Sequence, residues 1–304
     1  MVQNICRCPT RYCSITTLVH HSYGSDNQKC RKRTSNEIKA GAFVAFIWGN
    51  KEEEIQEQLD LWNQEFKNFG LKISKTKTVL MAVSREHKQY NVTLEGERVQ
   101  QVEEFSYLGS TVTSDNRNNR EIINRVHKGA QFFQQVRTLL WDEKIPVRAK
   151  KTMYSSYYIP ITTYGLETCT TSKREESKVQ AGEMKFLRSC LQRTRRDRIR
   201  NEVIREELEI KKPLLDIISQ ARLRWYGHVQ RMDEERTAKI WLNRRVEGNR
   251  MRGRPRKRWE DQVRKEVEER GVEWDEVIQG QMFMDRKRWR GVVNHTRETG
   301  AGQR

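Results

Sequence analysis

From Ile122 to Val293 the apolar residues of this chain recur three and four apart, and no alternating stretch interrupts them. That period suits helices, because successive residues of a strand point to opposite faces. Ile122, Ile123, Val126, Ala130, Phe133, Val136 and Leu140 predict one long amphipathic helix. Pro146 suits the first turn of the next, which carries Met153, Tyr154 and Tyr157. Ser172 with Glu175 opens another helix, which carries Val179, Phe186, Leu187 and Cys190. Leu214, Ile218, Ala221, Trp225 and Val229 mark a helix after Pro213, and Trp259 and Val263 one that closes near Gly271. Trp274, Val277 and Ile278, then Phe283, Met284, Trp289 and Val293, mark the last two.

Strands are confined to the chain before residue 113. "AFVAFIW" (42–48) reads as a buried strand and "GN" as the turn after it. Asn50 is a good N-cap with Glu53 three residues on, a capping-box arrangement; Ile55, Leu59, Trp62, Phe66 and Phe69 follow at helical spacing, and Gly70 stands where a C-terminal cap belongs. "LKISKTKTVLMAVS" alternates as a strand does, "YNVTLEGERVQQV" reads as a hairpin turning at Gly96, and "FSYLGSTVT" as a short strand. Residues 1–41 show no period and read as a flexible basic tail. The expected fold class is therefore α+β, mostly α.

The 59 Lys and Arg against 41 Asp and Glu give a net charge of +18, and such a surface attracts polyanions, nucleic acid first among them. The charge is clustered: "RTRRDRIR" (193–200) has five arginines and one acid, and residues 244–258 hold eight basic residues and one acid. Eight Trp, nine Tyr and nine Phe argue for a folded chain. No apolar run approaches the ~20 residues of a membrane span, and the N-terminus lacks the form of a secretion signal. The expectation is an intracellular protein of nucleus or cytoplasm, with no membrane partner.

Cys6, Cys8, Cys13 and Cys30 with His20 and His21 between them raise the question of zinc, but there is no C-x-x-C knuckle, and Cys6 and Cys8 point oppositely in an extended chain. No metal and no cofactor is expected. Cys169 and Cys190 read as buried thiols, His228 as structural and His127 as surface. The five tryptophans from Trp225 to Trp289 read as bundle core, with stacking on unpaired bases as the other option.

The order strand, helix, "FGLKISKTKTVLM", hairpin, "FSYLGSTV" and helical tail resembles the C-terminal half of a non-LTR (LINE-type) retrotransposon reverse transcriptase. "GLKISKTKT" resembles the palm segment whose lysine approaches the incoming nucleotide, with Lys77 in the matching place, and "YLGS" looks like the primer-grip hairpin, with Tyr107 its first residue. "TTYGLETCTTSKREESKVQAGEMKFLRSCL" resembles the thumb-side segment, with Cys169 where the family usually has tryptophan. "ARLRWYGHVQRM" and "RGRPRKRWEDQV" resemble the C-terminal region. The likeness runs from about residue 42 to 293. It implies a partial palm and primer-grip hairpin over 42–112, a helical thumb over 113–192 and a basic helical module over 193–304.

The resemblance also marks a departure. The family holds Mg2+ on two adjacent aspartates just before the strand that leads into the helix, and those places here carry Phe43 and Val44. By the same resemblance, the upstream finger and palm segments are not expected in residues 1–41. Glu52, Glu53 and Glu54 lie near but read as a helix's first turn, where acids suit the dipole. The chain is thus not expected to copy nucleic acid by itself. Polymerase activity would require a complementing reverse-transcriptase chain, and translated retroelement debris is the other outcome.

The expected partner is RNA or DNA, held at phosphates by Arg193, Arg195, Arg196, Arg198, Arg252, Arg254, Arg256, Lys257 and Arg258, with Lys77 and Tyr107 as inherited positions. For "RGRPRKRW" three readings stand open: phosphate contact, an AT-hook-like entry into the minor groove, and a solvated loop.

Overall fold

A computed structural model of the chain describes residues 14–22, 44–49, 51–83, 88–115, 117–243 and 257–295. They fall into two compact units, one ending at Arg117 and the other starting at Asn118. As the periodicity predicts, the described elements after residue 113 are all helical, so the class is α+β, mostly α.

The first unit runs β1 (Ser14–Ser22), β2 (Val44–Gly49), α1 (Glu52–Asn68), β3 (Lys72–Ile73), β4 (Val79–Val83), β5 (Thr93–Leu94), β6 (Glu97–Arg98), β7 (Gln100–Gln101), β8 (Glu104–Tyr107) and β9 (Ser110–Thr113). Strand β1 corrects the tail expected over 1–41. It lies between β2 and β4, antiparallel to both, with Thr17 opposite Ile47 on one side and Leu80 on the other. Its β-branched residues Ile15, Thr16, Thr17 and Val19 suit a strand, but only the sheet supplies the partners that make one. β7 joins the far side of β4 in parallel.

Helix α1 lays Ile55, Leu59 and Phe66 on this sheet, in a core with Ile47, Ile73, Leu80, Tyr90, Val92, Leu94 and Val99. Trp62 and Phe69, at the same helical spacing, are 43% and 65% exposed. Lys51 is the residue before the helix and makes no side-chain cap bond; Asn50 lies outside the described residues. Glu52, Glu53 and Glu54 form the first turn as expected, and Glu52 also accepts from the Asn91 N–H at 3.0 Å. At the other end Gly70 takes φ 71°, its N–H donates to Lys67 O (2.9 Å) and the Leu71 N–H to Phe66 O (2.8 Å). That is the Schellman pattern, and the left-handed residue is the glycine it favours.

Two tight hairpins follow. Glu95 and Gly96 turn β5 into β6, and Leu108 and Gly109 turn β8 into β9, all four at positive φ. Both turns match the right-handed twist of paired strands. "FSYLGSTVT" is therefore two strands rather than one.

The second unit runs α2 (Asn119–Trp141), α3 (Val147–Met153), a π-helical turn (Tyr154–Tyr158), α4 (Ile159–Thr163), a short turn (Leu166–Thr168), α5 (Lys173–Cys190), another (Arg195–Asp197), α6 (Asn201–Glu207), α7 (Leu214–Gln230), α8 (Thr237–Asn243), α9 (Trp259–Glu268), α10 (Trp274–Gln279) and α11 (Arg286–Asn294). The π turn precedes Pro160, which has no N–H to give to the carbonyl four residues back. The Thr162 and Thr163 hydroxyls each bond back one turn, donating to Tyr158 O (2.7 Å) and Ile159 O (2.9 Å). Helix α5 opens at Ser172 as expected, and Ser172 and Glu175 close a capping box there.

The boundary expected at 192 does not match the packing. One core joins Ile122, Phe133, Leu140, Tyr154, Phe186 and Leu187 to Ile204, Leu208, Leu214 and Ile218. The later half of α7 enters a second core, where Leu223 and Tyr226 meet Val263, Val267, Val277, Trp289 and Val293. Helix α7 thus serves both cores. Tyr226 is ringed by Trp259, Trp274, Phe283 and Trp289 at centroid distances of 5.7–6.2 Å. Three of the five tryptophans read as bundle core, Trp259, Trp274 and Trp289, pack there; Trp225 and Trp241 are half-buried outside that ring.

Candidate nucleic-acid interface

Basic residues 193–200 connect α5 to α6, and local bonds fix the shape of that connection. Beyond α5, Gln192 takes φ 55°, its N–H donates to Ser189 O (3.1 Å) and the Arg193 N–H to Arg188 O (2.9 Å). Asp197 folds back, accepting from the Thr194 N–H at 2.6 Å and from the Thr194 hydroxyl at 3.2 Å. The Thr194 oxygen in turn accepts from the Arg196 N–H at 3.2 Å. Arg198 then takes φ 51° and reverses the chain. From the α5 side, Arg188 donates to Ile199 O (3.1 Å) and to the Asn201 side chain (2.7 Å), which secures the exit.

The one acid of the run is thus occupied with backbone, while Arg195, Arg196 and Arg198 stand exposed. None of the three makes an ion pair among the described residues. Arg200, also exposed, belongs with them, and its place inside "RTRRDRIR" was signal enough to include it. Arg193 differs: it is half-buried and ion-paired to Glu207 across the connection. It braces the turn rather than presenting charge.

The base beneath is rigid. Glu183 on α5 is fully buried and accepts from the Tyr154 hydroxyl (2.8 Å), the Arg205 guanidinium (3.0 Å) and the Leu214 N–H (2.9 Å). One carboxylate thereby ties the π turn, α6 and the start of α7 together. A carboxylate at a helix N-terminus also meets the positive end of the dipole. Burial, with the Glu183 charge beside it, drives the Tyr154 hydroxyl far above its ordinary pKa, so it stays a donor.

The second basic run is only partly in view. Arg252, Arg254 and Arg256 lie outside the described residues. Lys257 does not present its charge freely: its ammonium donates to the buried Gln262 side chain, which bonds Glu266 at 2.9 Å. Burial, then the nearby Lys265, holds the Lys257 pKa below its ordinary value. Arg258 precedes α9 and donates its N–H to Asp261 at 2.8 Å, with its residue exposed.

Lys77 is exposed at the end of the turn that Ser74 opens, where the Thr78 hydroxyl donates to Ser74 O at 2.7 Å. Tyr107 ends β8 at the Leu108–Gly109 turn and is half-buried. Both lie in the first unit, whereas the arginine connection lies in the second. Val44 is the first residue of β2, and Phe43 lies outside the described residues. Neither side chain carries an oxygen, so the pair does not fit Mg2+. Among the described residues no group of three or more His, Cys, Asp or Glu could hold a metal ion. Cys6, Cys8, Cys13 and Cys30 are outside them; Cys169 and Cys190 are buried, as expected. No helix is long and apolar enough to cross a membrane among the described residues.

The fold and site describe a mostly helical α+β chain that presents a braced arginine turn. Over 201 residues it is 27% identical to a protein of Caenorhabditis elegans described as transposon-derived and uncharacterized, an alignment covering 63% of this chain and 70% of that protein. The chain matches no protein-family model and no solved structure.

Proposed function

We propose that this chain derives from a mobile element, as a remnant of a non-LTR reverse transcriptase, and binds RNA or DNA through phosphate contacts without copying it. Similarity to a transposon-derived protein supports the origin. The observation that carries the binding is the connection at 194–200: three exposed arginines on a turn whose only acid is bonded to backbone. A fixed turn presents its cations with little ordering cost, and guanidinium suits phosphate geometry. Such contacts position a nucleic acid without reading its sequence. Arg252, Arg254, Arg256 and Arg258 of the second basic run add phosphate contacts in this proposal, with Lys77 and Tyr107 as positions inherited from the palm and primer grip. No polymerase step is assigned, because Phe43 and Val44 offer no ligand to a catalytic cation.

Fluorescence anisotropy of the purified chain with structured RNA, duplex DNA and single strands tests it. A loss of about 10³-fold in affinity between ~50 and ~200 mM salt is expected, corresponding to roughly six phosphate contacts. Absence of binding at the lower salt would overturn the reading. Primer extension, with and without a complementing reverse-transcriptase fragment, tests the absence of polymerase activity.

A further inference from the structure

Two tyrosines of the second unit stand out of its surface against firm backing. Tyr157, in the π turn, is 57% exposed, and Tyr164, just beyond α4, is 51% exposed. Tyr157 stacks on Phe132 of α2 at a centroid distance of 5.8 Å and 27° between planes. Phe132 is itself stacked, at 6.3 Å and 7°, on the fully buried Phe186. Tyr164 lies under the guanidinium of Arg125, 4.7 Å from the ring centroid, and Arg125 is locked by an ion pair to Glu121 within α2.

Arg125 and Phe132 are seven residues apart on one stripe of α2, two turns or about 10.5 Å. Lys128 lies between them on the exposed side of that stripe, three residues after the first and four before the second. At that spacing Lys128 neighbours both backing residues on the helix surface. Across α2 and residues 147–163, Arg125 is paired to the one acid, Glu121, Lys150 is buried and Lys151 is paired to Glu209, while Arg120, Lys128, Arg137 and Arg148 are exposed. That balance disfavours a second copy of the same face and favours a polyanion.

We infer that Tyr157 and Tyr164 form a stacking ledge for the unpaired bases of a single-stranded nucleic acid, with Lys128 between them facing the intervening phosphate. This rests on the phosphate-binding reading above and adds base contact to it. A single strand can lay a base on each ring and pass its backbone over Lys128. A duplex keeps its base faces inside the stack and cannot do so. Rings already held by Phe132 and Arg125 lose little freedom when a base arrives, and every base has a face to offer, so the contact is sequence-tolerant.

The test compares a labelled single-stranded oligonucleotide with an abasic one of equal length, and so of equal phosphate number, on the full chain. The base-bearing strand is expected to bind about ten-fold tighter or more. Tyr157→Leu and Tyr164→Leu should each shrink that ratio without changing the salt dependence, while Tyr157→Phe keeps it. Equal affinity of the native chain for the two strands, with steep salt dependence, overturns the ledge and leaves the phosphate reading standing. Failure to bind either strand overturns both. Self-association that Tyr157→Leu abolishes assigns the face to a second copy and also overturns the ledge. Because the native chain alone decides between the strands, the test survives a variant that folds poorly.

Discussion

The Arg222 guanidinium donates to the Glu266 carboxylate where each residue is 1% exposed, tying α7 to α9. Arg222 also donates to Leu166 O (3.2 Å) and Cys169 O (2.9 Å), so one side chain holds three segments. Replacing Arg222 with Met leaves Glu266 charged in a dry site and should cost about 3–5 kcal/mol. Urea denaturation measures it. Changing both residues to apolar ones should cost less than the sum of the two single changes.

Gly129 of α2 faces α4 so closely that an added Cβ would stand 2.4 Å from the Thr162 Cγ2. Gly129→Ala should destabilise by about 1–3 kcal/mol through overpacking. Thr162→Ser removes the obstructing methyl and keeps the hydroxyl that donates to Tyr158 O, so the double variant should recover most of the stability. Thermal unfolding of the three variants checks it.

Alkali should weaken the second unit. Burial pushes the Cys169 and Cys190 thiols up from an ordinary 9.0 to about 12, and it raises the Tyr154, Tyr158 and Tyr226 hydroxyls too. A folded-state pKa above the unfolded one means that the folded chain holds the proton longer. The stability from the two thiols is then complete below pH 9.0 and falls as pH rises toward about 12. Denaturation midpoints across that range should decline, and both thiols should resist iodoacetamide at neutral pH until the chain unfolds.

Neighbouring arginines should behave differently. Replacing Arg195, Arg196 and Arg198 with Ala should reduce the salt slope of nucleic-acid binding by about one unit for each arginine that meets a phosphate, with stability within ~0.5 kcal/mol. Arg193→Ala breaks the ion pair to Glu207, which is partly open to solvent, and should cost up to ~1 kcal/mol while leaving the slope alone. Salt titrations of binding separate the two cases. Neutralising Arg252, Arg254 and Arg256 together should weaken binding to all sequences alike, and unchanged binding would remove that run from the interface.

Features that close over a few residues are legible in the chain. The cap at Gly70, the box at Ser172 and the hairpin at Gly96 each close bonds within about five residues, so the residues that make them stand together. Trp62 and Phe69 escape such reading because helical spacing names a face without saying how wide a sheet covers it. Gly227 escapes too: it sits where the Trp289 indole crosses α7, 2.2 Å from an added Cβ, and nothing near it in sequence marks the crossing. For the site, the basic runs are plain, but not which cations stay free. Arg193 finds Glu207 fourteen residues on, and Lys257 turns toward a glutamine buried by another helix.

By itself, the sequence determined that the described elements beyond residue 113 are helical, that helices end at Gly70 and open at Ser172, and that the net charge is strongly positive, because period, cap and net charge are properties of neighbours and of sums. Only the tertiary structure decided that Ser14–Ser22 is a central strand, that α7 serves two cores, and that Arg195, Arg196 and Arg198 face outward while Arg193 does not. Those outcomes depend on partners far away in the chain, and ladder bonds, ion pairs and burial exist only once those partners meet.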